Sequence, residues 1–495
     1  MSIVGSESRD VVVLAGGVSR EYLLHHRVCP TEITDDGALV VAVAPDALVP
    51  EALDDLGLAY RRPIVATTTP REEIERLIAR LTSGTESALT VSPVDQDDEA
   101  LVADVRDVAN SAPVAAYVNF LVGEAVRAGA SDIHLEAIRG GLVVRFRLDG
   151  ILLPAPAAPA GLETAILSRL KLMADLDIAE RRRPQDGRIR VRLSDRELDV
   201  RVSTVPTLHG ESVVLRVLDR GGRPVGLDTL GMPAAILEQV RVLAKKPHGM
   251  VLVTGPTGSG KTTTLYAALG LREAAAEKII TIEDPIEYQL PGITQVPVQA
   301  QAGVTFAAAL RSILRQDPDV IMVGEMRDRT TAELAVQAAL TGHLVFSTLH
   351  TTDSASAITR LVEMKIEPYL VAATVQGILA QRLVRLLCDD CAETYRPDES
   401  DLRAHATFGS STYRRAKGCE KCAQTGYRGR IGIYEYLPVS ESHRAVITRG
   451  GTLAELRSVN SGDFRSLMDA GWNLVRAGRT SIAELRRVVN ESAEA

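Results

Sequence analysis

Short hydrophobic runs recur along the chain, separated by stretches of helical character. Each run has four to six residues, mostly apolar or β-branched, which is typical of buried strands. The clearest runs are 38–43, 250–254, 279–282, 320–323 and 344–349. Because these strand patterns alternate with helical patterns, the sequence predicts a multidomain α/β protein.

Two amphipathic helices are predicted between the runs. Residues 113–128 place Val114 and Val118 on one face at helical spacing, and residues 305–315 begin with a threonine cap and bury a stripe that includes Leu310.

The first part of the chain is organised differently from the rest. Residues 20–82 alternate short helical and strand-like patterns without a catalytic constellation, which predicts a docking or regulatory module. Residues 92–107 are polar and rich in acidic side chains, which predicts a solvated, extended linker. Strand patterns at 133–136 and 142–148 then indicate a separate middle module.

Composition narrows the class of protein. A chain of 495 residues corresponds to roughly three domains. Aromatic residues are only 4% and the net charge is −8, which argues against a dominant role in nucleic-acid binding. Since no apolar run approaches the ~18 residues of a membrane-spanning helix, we expect a cytoplasmic protein, or one bound to a membrane only through a partner.

The cysteines divide into a group of four and a single residue. Cys388 and Cys391 form one C-x2-C pair, and Cys419 and Cys422 form a second pair after an interval of 27 residues. Two such pairs supply four thiolates to one tetrahedral Zn²⁺. Two separate redox dithiols are the alternative. Cys29 is expected to be a small buried or half-buried apolar residue rather than a ligand.

The most specific motif is a phosphate-binding loop. The run 250–254 is followed directly by G-x4-G-K-T at 255–262 and then by a helix predicted to extend towards Ala276. Backbone N–H groups of such a loop point at phosphate oxygens, while Lys261 neutralises β/γ charge and the Thr262 hydroxyl binds Mg²⁺. The predicted ATP-binding residues are Gly255, Pro256, Thr257, Gly258, Ser259, Gly260, Lys261, Thr262 and Thr263.

Acidic residues follow two of the other predicted strands. Glu325 comes after the run 320–323, where a strand end would bring it near the γ-phosphate, so we assign it to orient the attacking water. The alternative is a surface glutamate in a helix-start turn. Glu283 and Asp284 follow the run 279–282, and either reach the metal through water or cap the next turn.

Histidines and arginines complete the candidate site. His343 and His350 flank the run 344–349, and either could sense the γ-phosphate as a hydrogen-bond donor. A purely structural role is the alternative. Arg311 and Arg315, four residues apart on a helix, share a face and suit phosphate oxygens. Salt bridges of these arginines to nearby aspartates are the alternative.

Together, these motifs resemble the secretion ATPase superfamily, and most closely the assembly ATPases of type II secretion and their type IV pilus relatives. The resemblance extends from about residue 111 to the end of the chain. It is carried by the segments 129–136, 147–150, 183–188, 200–204, 255–262, 281–287, 310–319, 324–325, 341–350 and 426–430 and by the four-cysteine insertion.

This resemblance implies a RecA-like P-loop ATPase core, preceded by a PAS-like α/β domain and a small N-terminal α/β domain, with a zinc subdomain inserted. The expected divisions are an N-terminal docking domain at 1–91, an acidic linker at 92–110, the middle domain at 111–228, the ATPase core at 229–386, the zinc-binding subdomain at 387–430 and a C-terminal helical region at 431–495.

The resemblance also implies partners and further site residues. Such proteins are hexamers that bind nucleotide between the middle and ATPase domains, where Arg188 and Arg201 match arginines that approach the phosphates. The family's N-terminal domain docks on the cytoplasmic domain of an inner-membrane platform protein. No nucleic-acid partner is expected.

We therefore expect a cytoplasmic ATPase that hydrolyses MgATP to drive assembly of the type II secretion pseudopilus, with Glu325, Lys261, Glu283, Asp284 and His350 at the catalytic centre. A type IV pilus extension or DNA-uptake ATPase is the alternative within the superfamily. A slow nucleotide-gated scaffold is the alternative outside it.

Overall fold

The computed structural model describes residue 18 and residues 20–34, 36–45, 49–60, 62–82, 109–193, 196–219, 225–397, 413–459 and 464–489. The chain divides into two compact units, residues 1–221 and 222–495. Within the described ranges, no helix is long and apolar enough to cross a membrane. The predicted acidic segment 92–107 lies outside the described residues.

The first unit begins with a small α/β domain. Its three strands form a sheet of order β1-β2-β3, antiparallel between β1 and β2 and parallel between β2 and β3. Cys29 in β1 is buried, as predicted, and burial raises the pKa of its thiol to about 12. The elements are α1 Arg20–His26, β1 Val28–Ile33, β2 Leu39–Val43, α2 Val49–Tyr60, β3 Ile64–Thr68 and α3 Arg71–Thr82.

A six-stranded antiparallel sheet of order β6-β5-β4-β9-β8-β7 follows in the same unit. Two helices pack on one of its faces, so the apolar residues of the strands form a core between sheet and helices. The elements are α4 Ala112–Ala128, β4 Asp132–Ile138, β5 Gly141–Leu148, β6 Ile151–Pro154, α5 Glu163–Met173, β7 Gln185–Leu193, β8 Arg196–Thr207 and β9 Gly210–Asp219.

Helix α4 confirms the stripe predicted from its spacing. Val114, Val118 and Leu121 are fully buried in the core that includes Ile133 of β4. A proline lies in the first turn, and Gly129 ends the helix with φ of 71°, a left-handed conformation that favours glycine.

The second unit is built on a seven-stranded sheet of order β12-β11-β13-β14-β10-β15-β18. All neighbours are parallel except β15 and β18. β16 and β17 pair separately. The strands are β10 Gly249–Thr254, β11 Ile279–Glu283, β12 Thr294–Pro297, β13 Val320–Val323, β14 Leu344–Leu349, β15 Val375–Leu387, β16 Glu393–Tyr395, β17 Tyr413–Arg415 and β18 Tyr427–Pro438.

The four predicted strands of this half of the chain are therefore confirmed as β10, β11, β13 and β14. They are buried along their whole length, which explains why they read as continuous apolar runs rather than as an alternating pattern. Because they are parallel, their carboxyl ends meet at one edge of the sheet, where the candidate site lies.

Helices cover both faces of this sheet and continue beyond it. The predicted threonine cap is confirmed, since the Thr305 hydroxyl accepts a hydrogen bond from the Ala308 N–H at 3.2 Å. The helices are α6 Ala234–Ala244, α7 Lys261–Leu269, α8 Phe306–Ile313, α9 Arg329–Leu340, α10 Ser354–Glu363, α11 Pro368–Thr374, α12 Glu441–Thr448, α13 Leu453–Ser458, α14 Leu467–Arg476 and α15 Ile482–Val488.

Helix α7 is shorter than predicted. We expected it to extend towards Ala276, but it ends at Leu269 and Gly270 follows. The guanidinium of Arg272, only 10% exposed, donates to the Ala244 carbonyl at the end of α6 and pairs with Glu277. These contacts hold the chain in turns and override the helical preference of the alanines that follow.

The C-terminal helices have a core of their own against β15 and β18. Trp472 of α14 is buried with Val384 of β15 and Ile433 of β18. Glu484 of α15, which is fully buried, pairs with Arg385 of β15 at 2.7 Å. The region is thereby tied to the same sheet that carries the phosphate-binding loop.

Candidate functional site

The phosphate-binding loop lies between β10 and α7. Gly255, Gly258 and Gly260 have φ of 148°, 78° and 86°, a region that side chains with a Cβ atom rarely adopt. A Cβ atom on Gly255 would lie 2.4 Å from the carbonyl oxygen of Gln381, so this position accepts only glycine. The turn is followed at once by the first turn of α7, whose free N–H groups favour anions.

The other loop residues divide by exposure. Pro256 and Thr257 are exposed, whereas Ser259 is buried and its hydroxyl has no hydrogen-bond partner within the described parts of the chain. Thr262 and Thr263 are half-buried in the first turn of α7. A hydroxyl at this position of a phosphate loop is a suitable oxygen ligand for Mg²⁺.

Lys261 lies across the loop. Its side chain is buried, and the ammonium donates to the carbonyl of Gly255 at 2.8 Å and to that of Pro256 at 2.9 Å. Burial lowers the pKa of Lys261 to about 8, although the negative charge of Glu325 acts in the opposite direction. The lysine and the glutamate are thus close enough to interact electrostatically.

Glu325 is buried at the carboxyl end of β13 rather than exposed on a surface turn. It is 9% exposed, and its Oε1 pairs with the guanidinium of Arg327 at 2.6 Å. Its Oε2 lies 3.3 Å from Nε2 of His350, which follows β14. Hydrogen bonding to Glu325 raises the pKa of Arg327.

The two candidate histidines lie at opposite ends of β14. His350 contacts Glu325 at the edge that carries the phosphate loop. His343 precedes the strand, and its Nδ1 lies 2.9 Å from the carbonyl of Ala338 at the end of α9. Only His350 therefore lies in the candidate site.

The acidic residues after β11 have different surroundings. The Glu283 carboxylate is buried and accepts hydrogen bonds from the hydroxyls of Tyr266 and Thr281 and from the Gln295 amide at 3.0 Å. Burial, together with the adjacent Glu283, raises the pKa of Tyr266. Asp284, by contrast, is exposed at the same edge. Both oxygens of Glu283 are engaged by protein donors, whereas Asp284 faces solvent.

The four candidate arginines are divided between the two units. Arg311 and Arg315 are exposed at the end of α8, and Arg315 donates to the Arg311 carbonyl at 2.9 Å. Arg188 of β7 and Arg201 of β8 belong to the first unit, where they are directly opposite each other in the sheet. Their role in binding phosphate therefore stays a prediction.

The four paired cysteines converge on one point. Their sulfur atoms all lie within 4.8 Å of one another. The Sγ distances are 3.9 Å between Cys388 and Cys419, 3.9 Å between Cys391 and Cys422, and 3.7 Å between Cys419 and Cys422. Zn–S bonds of about 2.3 Å in a tetrahedron require about 3.8 Å between sulfurs, so this donor set fits Zn²⁺.

The environment of Cys422 also favours a thiolate. Burial by itself would raise the pKa of its thiol, but backbone N–H groups of Cys419 and Gly426 donate to the sulfur and lower the pKa to about 6. A deprotonated sulfur is the form that binds a metal ion.

Comparison with known proteins agrees with this geometry. The family model described as Type II/IV secretion system protein matches residues 107–487. This chain belongs to that family. A second family model, the MshEN domain, matches residues 5–88.

Relatives in several bacteria are similar over most of the chain. The Type II secretion system protein E of Xanthomonas campestris pv. campestris is 44% identical, covering 99% of this chain and 88% of that protein. The Type II secretion system protein HxcR of Pseudomonas aeruginosa is 47% identical, covering 85% and 89% respectively. The Type II secretion system ATPase E of Vibrio cholerae is 48% identical, covering 79% and 78%.

Solved structures give the same fold. The crystal structure of the pilus retraction motor PilT with bound ADP aligns with a TM-score of 0.52 at 26% identity, covering 76% of this chain and 97% of that one. The ATPase DotB of Legionella pneumophila, at 22% identity and a TM-score of 0.57, covers 75% and 94% and supports the fold alone.

These findings confirm the main predictions. The chain is a secretion ATPase of the type II system with a RecA-like core, and it uses ATP and Mg²⁺. Its cysteine cluster is compatible with Zn²⁺. Members of the family are hexameric cytoplasmic ATPases that work with an inner-membrane platform.

Two residues beside the candidate site were not predicted from the sequence. Arg327 binds Glu325, and its position two residues after the glutamate was the only available signal. Gln381 of β15 contacts the phosphate loop from 122 residues further along the chain. No local pattern indicates such a contact, because it depends on β15 lying next to β10 in the sheet.

Proposed function

We propose that this secretion ATPase drives pseudopilus assembly, and that the loop 255–262 is the site at which it binds MgATP. The observation that carries the proposal is the meeting of Lys261, Glu325 and His350 beside the phosphate-binding turn. A buried cation for phosphate, a buried carboxylate for water and a hydrogen-bonding imidazole are groups suited to phosphoryl transfer to water.

Each group has a distinct role in the proposal. The Lys261 ammonium moves from the loop carbonyls to the β- and γ-phosphates, and the Thr262 hydroxyl binds Mg²⁺. Glu325 orients the attacking water, while His350 donates a hydrogen bond to the γ-phosphate. The phosphates lie against the N–H groups of the turn and of the first turn of α7.

The acidic residues after β11 contribute in two ways. Asp284 faces solvent at the site edge, and we assign it to reach the metal through water. Glu283 acts as a positioning residue, because both its oxygens are held by protein donors and it ties β11 to α7 through the hydroxyl of Tyr266.

Four arginines are proposed to couple the hydrolysis of the nucleotide to motion of the domains. We assign Arg311 and Arg315 of the ATPase core and Arg188 and Arg201 of the middle domain to the γ-phosphate in the assembled hexamer. A ligand shifts a conformational equilibrium only by its differential affinity for the two states. Loss of the γ-phosphate releases the arginine contacts and frees the domains to move.

The catalytic assignment is tested with Glu325→Gln. We expect ATP binding to persist, whereas hydrolysis falls at least about 100-fold, the usual contribution of a positioned acid or base. Because the charge of Glu325 supports the ammonium, the pKa of Lys261 should also fall in this variant. Binding is measured by calorimetry and turnover by phosphate release.

The matched control is Glu333→Gln. Glu333 is also a glutamate paired with an arginine in the same unit, but it lies half-exposed on α9. The Glu333→Gln variant should hydrolyse ATP at the same rate as the unmodified chain. Near-normal turnover by Glu325→Gln would remove Glu325 from its role and favour a nucleotide-gated scaffold.

The proposed partner is the cytoplasmic domain of the inner-membrane platform protein, bound by the N-terminal domain at 1–91. Full-length chain should co-purify with that domain, whereas a chain that starts at residue 93 should not. Binding of MgADP by the shortened chain serves as the folding control. Equal capture of both chains would contradict the docking assignment.

A further inference from the structure

A buried glutamine outside the phosphate loop contacts the loop from the neighbouring strand. Gln381 lies in β15 and is 2% exposed. The last residue of β10, Thr254, is paired with Ala380, so Gln381 comes one residue beyond the paired region, where β10 gives way to the loop. None of the roles described above uses this side chain.

Both ends of the Gln381 amide are hydrogen-bonded within the candidate site. Its Nε2 donates to the carbonyl oxygen of Ser259 at 2.6 Å, and its Oε1 accepts from the Thr264 hydroxyl at 2.8 Å. One partner belongs to the phosphate-binding turn and the other to helix α7. The amide therefore connects the turn to the helix that follows it.

The contact with Ser259 determines where the next N–H group points. In a planar trans peptide the carbonyl of one residue and the N–H of the next point in opposite directions. Because the Ser259 carbonyl points at Gln381, the N–H of Gly260 points away from it. That N–H group belongs to the row of donors that faces phosphate in loops of this kind.

The backbone of Gln381 also restricts the loop. A Cβ atom on Gly255 would lie 2.4 Å from the carbonyl oxygen of Gln381, and one on Gly260 would lie 3.2 Å from its Nε2. Gln381 therefore lies close to both the first and the last glycine of the turn and leaves little space for a side chain at either position.

We propose that Gln381 is a positioning residue for nucleotide binding, which holds the turn so that its N–H groups converge on the phosphates. The inference rests on the proposed nucleotide site. It predicts that Gln381 affects the affinity for nucleotide more than the rate of the chemical step, because Gln381 acts through the loop and touches neither the water nor Glu325.

The test is Gln381→Met, which preserves side-chain size but removes both hydrogen bonds. We expect the Kd for MgADP and the KM for ATP to rise about tenfold, equivalent to ~1.4 kcal/mol. The kcat at saturating ATP should stay within about twofold, since uniform binding is lost without loss of transition-state contacts.

Thr264→Val supplies a second, partial variant. It removes the donor to Oε1 but leaves the contact with Ser259, so its effect on Kd should be smaller. Combined with Gln381→Met it should add little, because residues in one hydrogen-bond network are not additive. Fully additive effects would contradict the connection between turn and helix.

Gln376→Met is the matched control. Gln376 lies near the start of the same strand and accepts a hydrogen bond from the Lys246 ammonium at 2.6 Å instead of contacting the loop. The Kd for MgADP and the KM for ATP of the Gln376→Met variant should match those of the unmodified chain. Thermal stability of all variants without nucleotide shows whether Gln381 is merely structural: a lower Tm with unchanged Kd and KM would overturn the proposal.

A wrong role for Gln381 can be distinguished from a wrong assignment of the nucleotide-binding site. Lys261→Met should abolish tight nucleotide binding if the site is correct. If Lys261→Met loses binding while Gln381→Met binds normally, only the role of Gln381 is refuted. If Lys261→Met binds MgADP normally, the nucleotide site itself is refuted.

Discussion

Lys261 is the residue whose chemistry depends most on its surroundings. An exposed lysine has a pKa near 10.4, but burial lowers that of Lys261 to about 8. The ammonium is then held by two backbone carbonyls, which are weaker partners than phosphate oxygens. The Lys261 ammonium therefore interacts more strongly with the phosphates of a bound nucleotide than with the carbonyls of the loop.

A pH dependence of binding follows. Phosphate favours the charged form of Lys261, so nucleotide binding raises the pKa of this side chain, which burial lowers to about 8. Binding therefore takes up a proton above about pH 8. Above that pH the Kd for MgADP should increase by up to about tenfold per pH unit, while the phosphates, with a second pKa near 6, remain ionised. Calorimetry in buffers of different ionisation heat measures the proton uptake.

Lys245→Met, which alters an exposed lysine at the end of α6, should leave this profile unchanged. A Kd that is constant from neutral pH to one unit above the pKa of Lys261 would show that the ammonium does not contribute to binding.

Glu283 and His343 illustrate how far single residues can be interpreted from sequence. Both were candidates because they adjoin predicted strands. The strand ends were correct, but side-chain partners come from distant segments: Glu283 is held by Tyr266 and Gln295, and His343 lies at the end of β14 away from the site. A position next to a predicted strand therefore does not reveal which side chains or carbonyl groups Glu283 and His343 contact.

The segment that consists of strand β10, the glycine turn and helix α7 was predicted almost completely. Its hydrophobic run, its glycines and its Lys-Thr pair are local signals, and the structure has the strand and the helix in that order. Only the end of the helix was wrong, because Arg272 binds residues outside the helix. Helix ends decided by tertiary contacts are poorly encoded in local sequence.

Substitution of Gly255, at the start of the turn, and of Gly270, after helix α7, should have different effects. Gly255→Ala forces a Cβ atom to 2.4 Å from the carbonyl of Gln381 at φ of 148°, so nucleotide affinity should fall at least about tenfold. Gly270→Ala meets no atom closer than 3.5 Å at φ of −63°, and should raise stability by about 0.4–1 kcal/mol.

Thermal unfolding and MgADP binding of both variants check this pair. Gly270→Ala should bind nucleotide normally. Normal binding by Gly255→Ala would mean that the loop adapts and that the close approach of β15 does not constrain it.

Across the second unit, β15 joins regions that are far apart in sequence. Gln381 in its middle contacts the phosphate loop, Arg385 pairs with the buried Glu484 of α15, and Cys388 follows the last residue of the strand. The ATPase core, the cysteine cluster and the C-terminal helices therefore share one structural element.

The cysteine cluster should hold about one zinc ion per chain. Metal analysis of reduced protein should find it, and Cys391→Ser should lose it, because a tetrahedral site with three thiolates binds more weakly. Chelation should lower the Tm, since metal binding contributes to folding. Cys29→Ala, which changes a buried cysteine of the first unit, should keep the zinc.

A reduced preparation free of zinc would contradict this assignment. It would favour the alternative of two redox dithiols at the same four positions.

Sequence alone determined the chemistry that is local in the chain: the buried strands, the phosphate loop and the paired cysteines. Each depends on residues within a few positions of one another, whose backbone requirements or ligand geometry leave few other interpretations. Only the tertiary structure decided which distant side chains complete the site, such as Gln381 beside the loop, His350 on Glu325 and Tyr266 on Glu283. The physical reason is that strand order places these residues together, and strand order results from the packing of the whole sheet rather than from any local pattern.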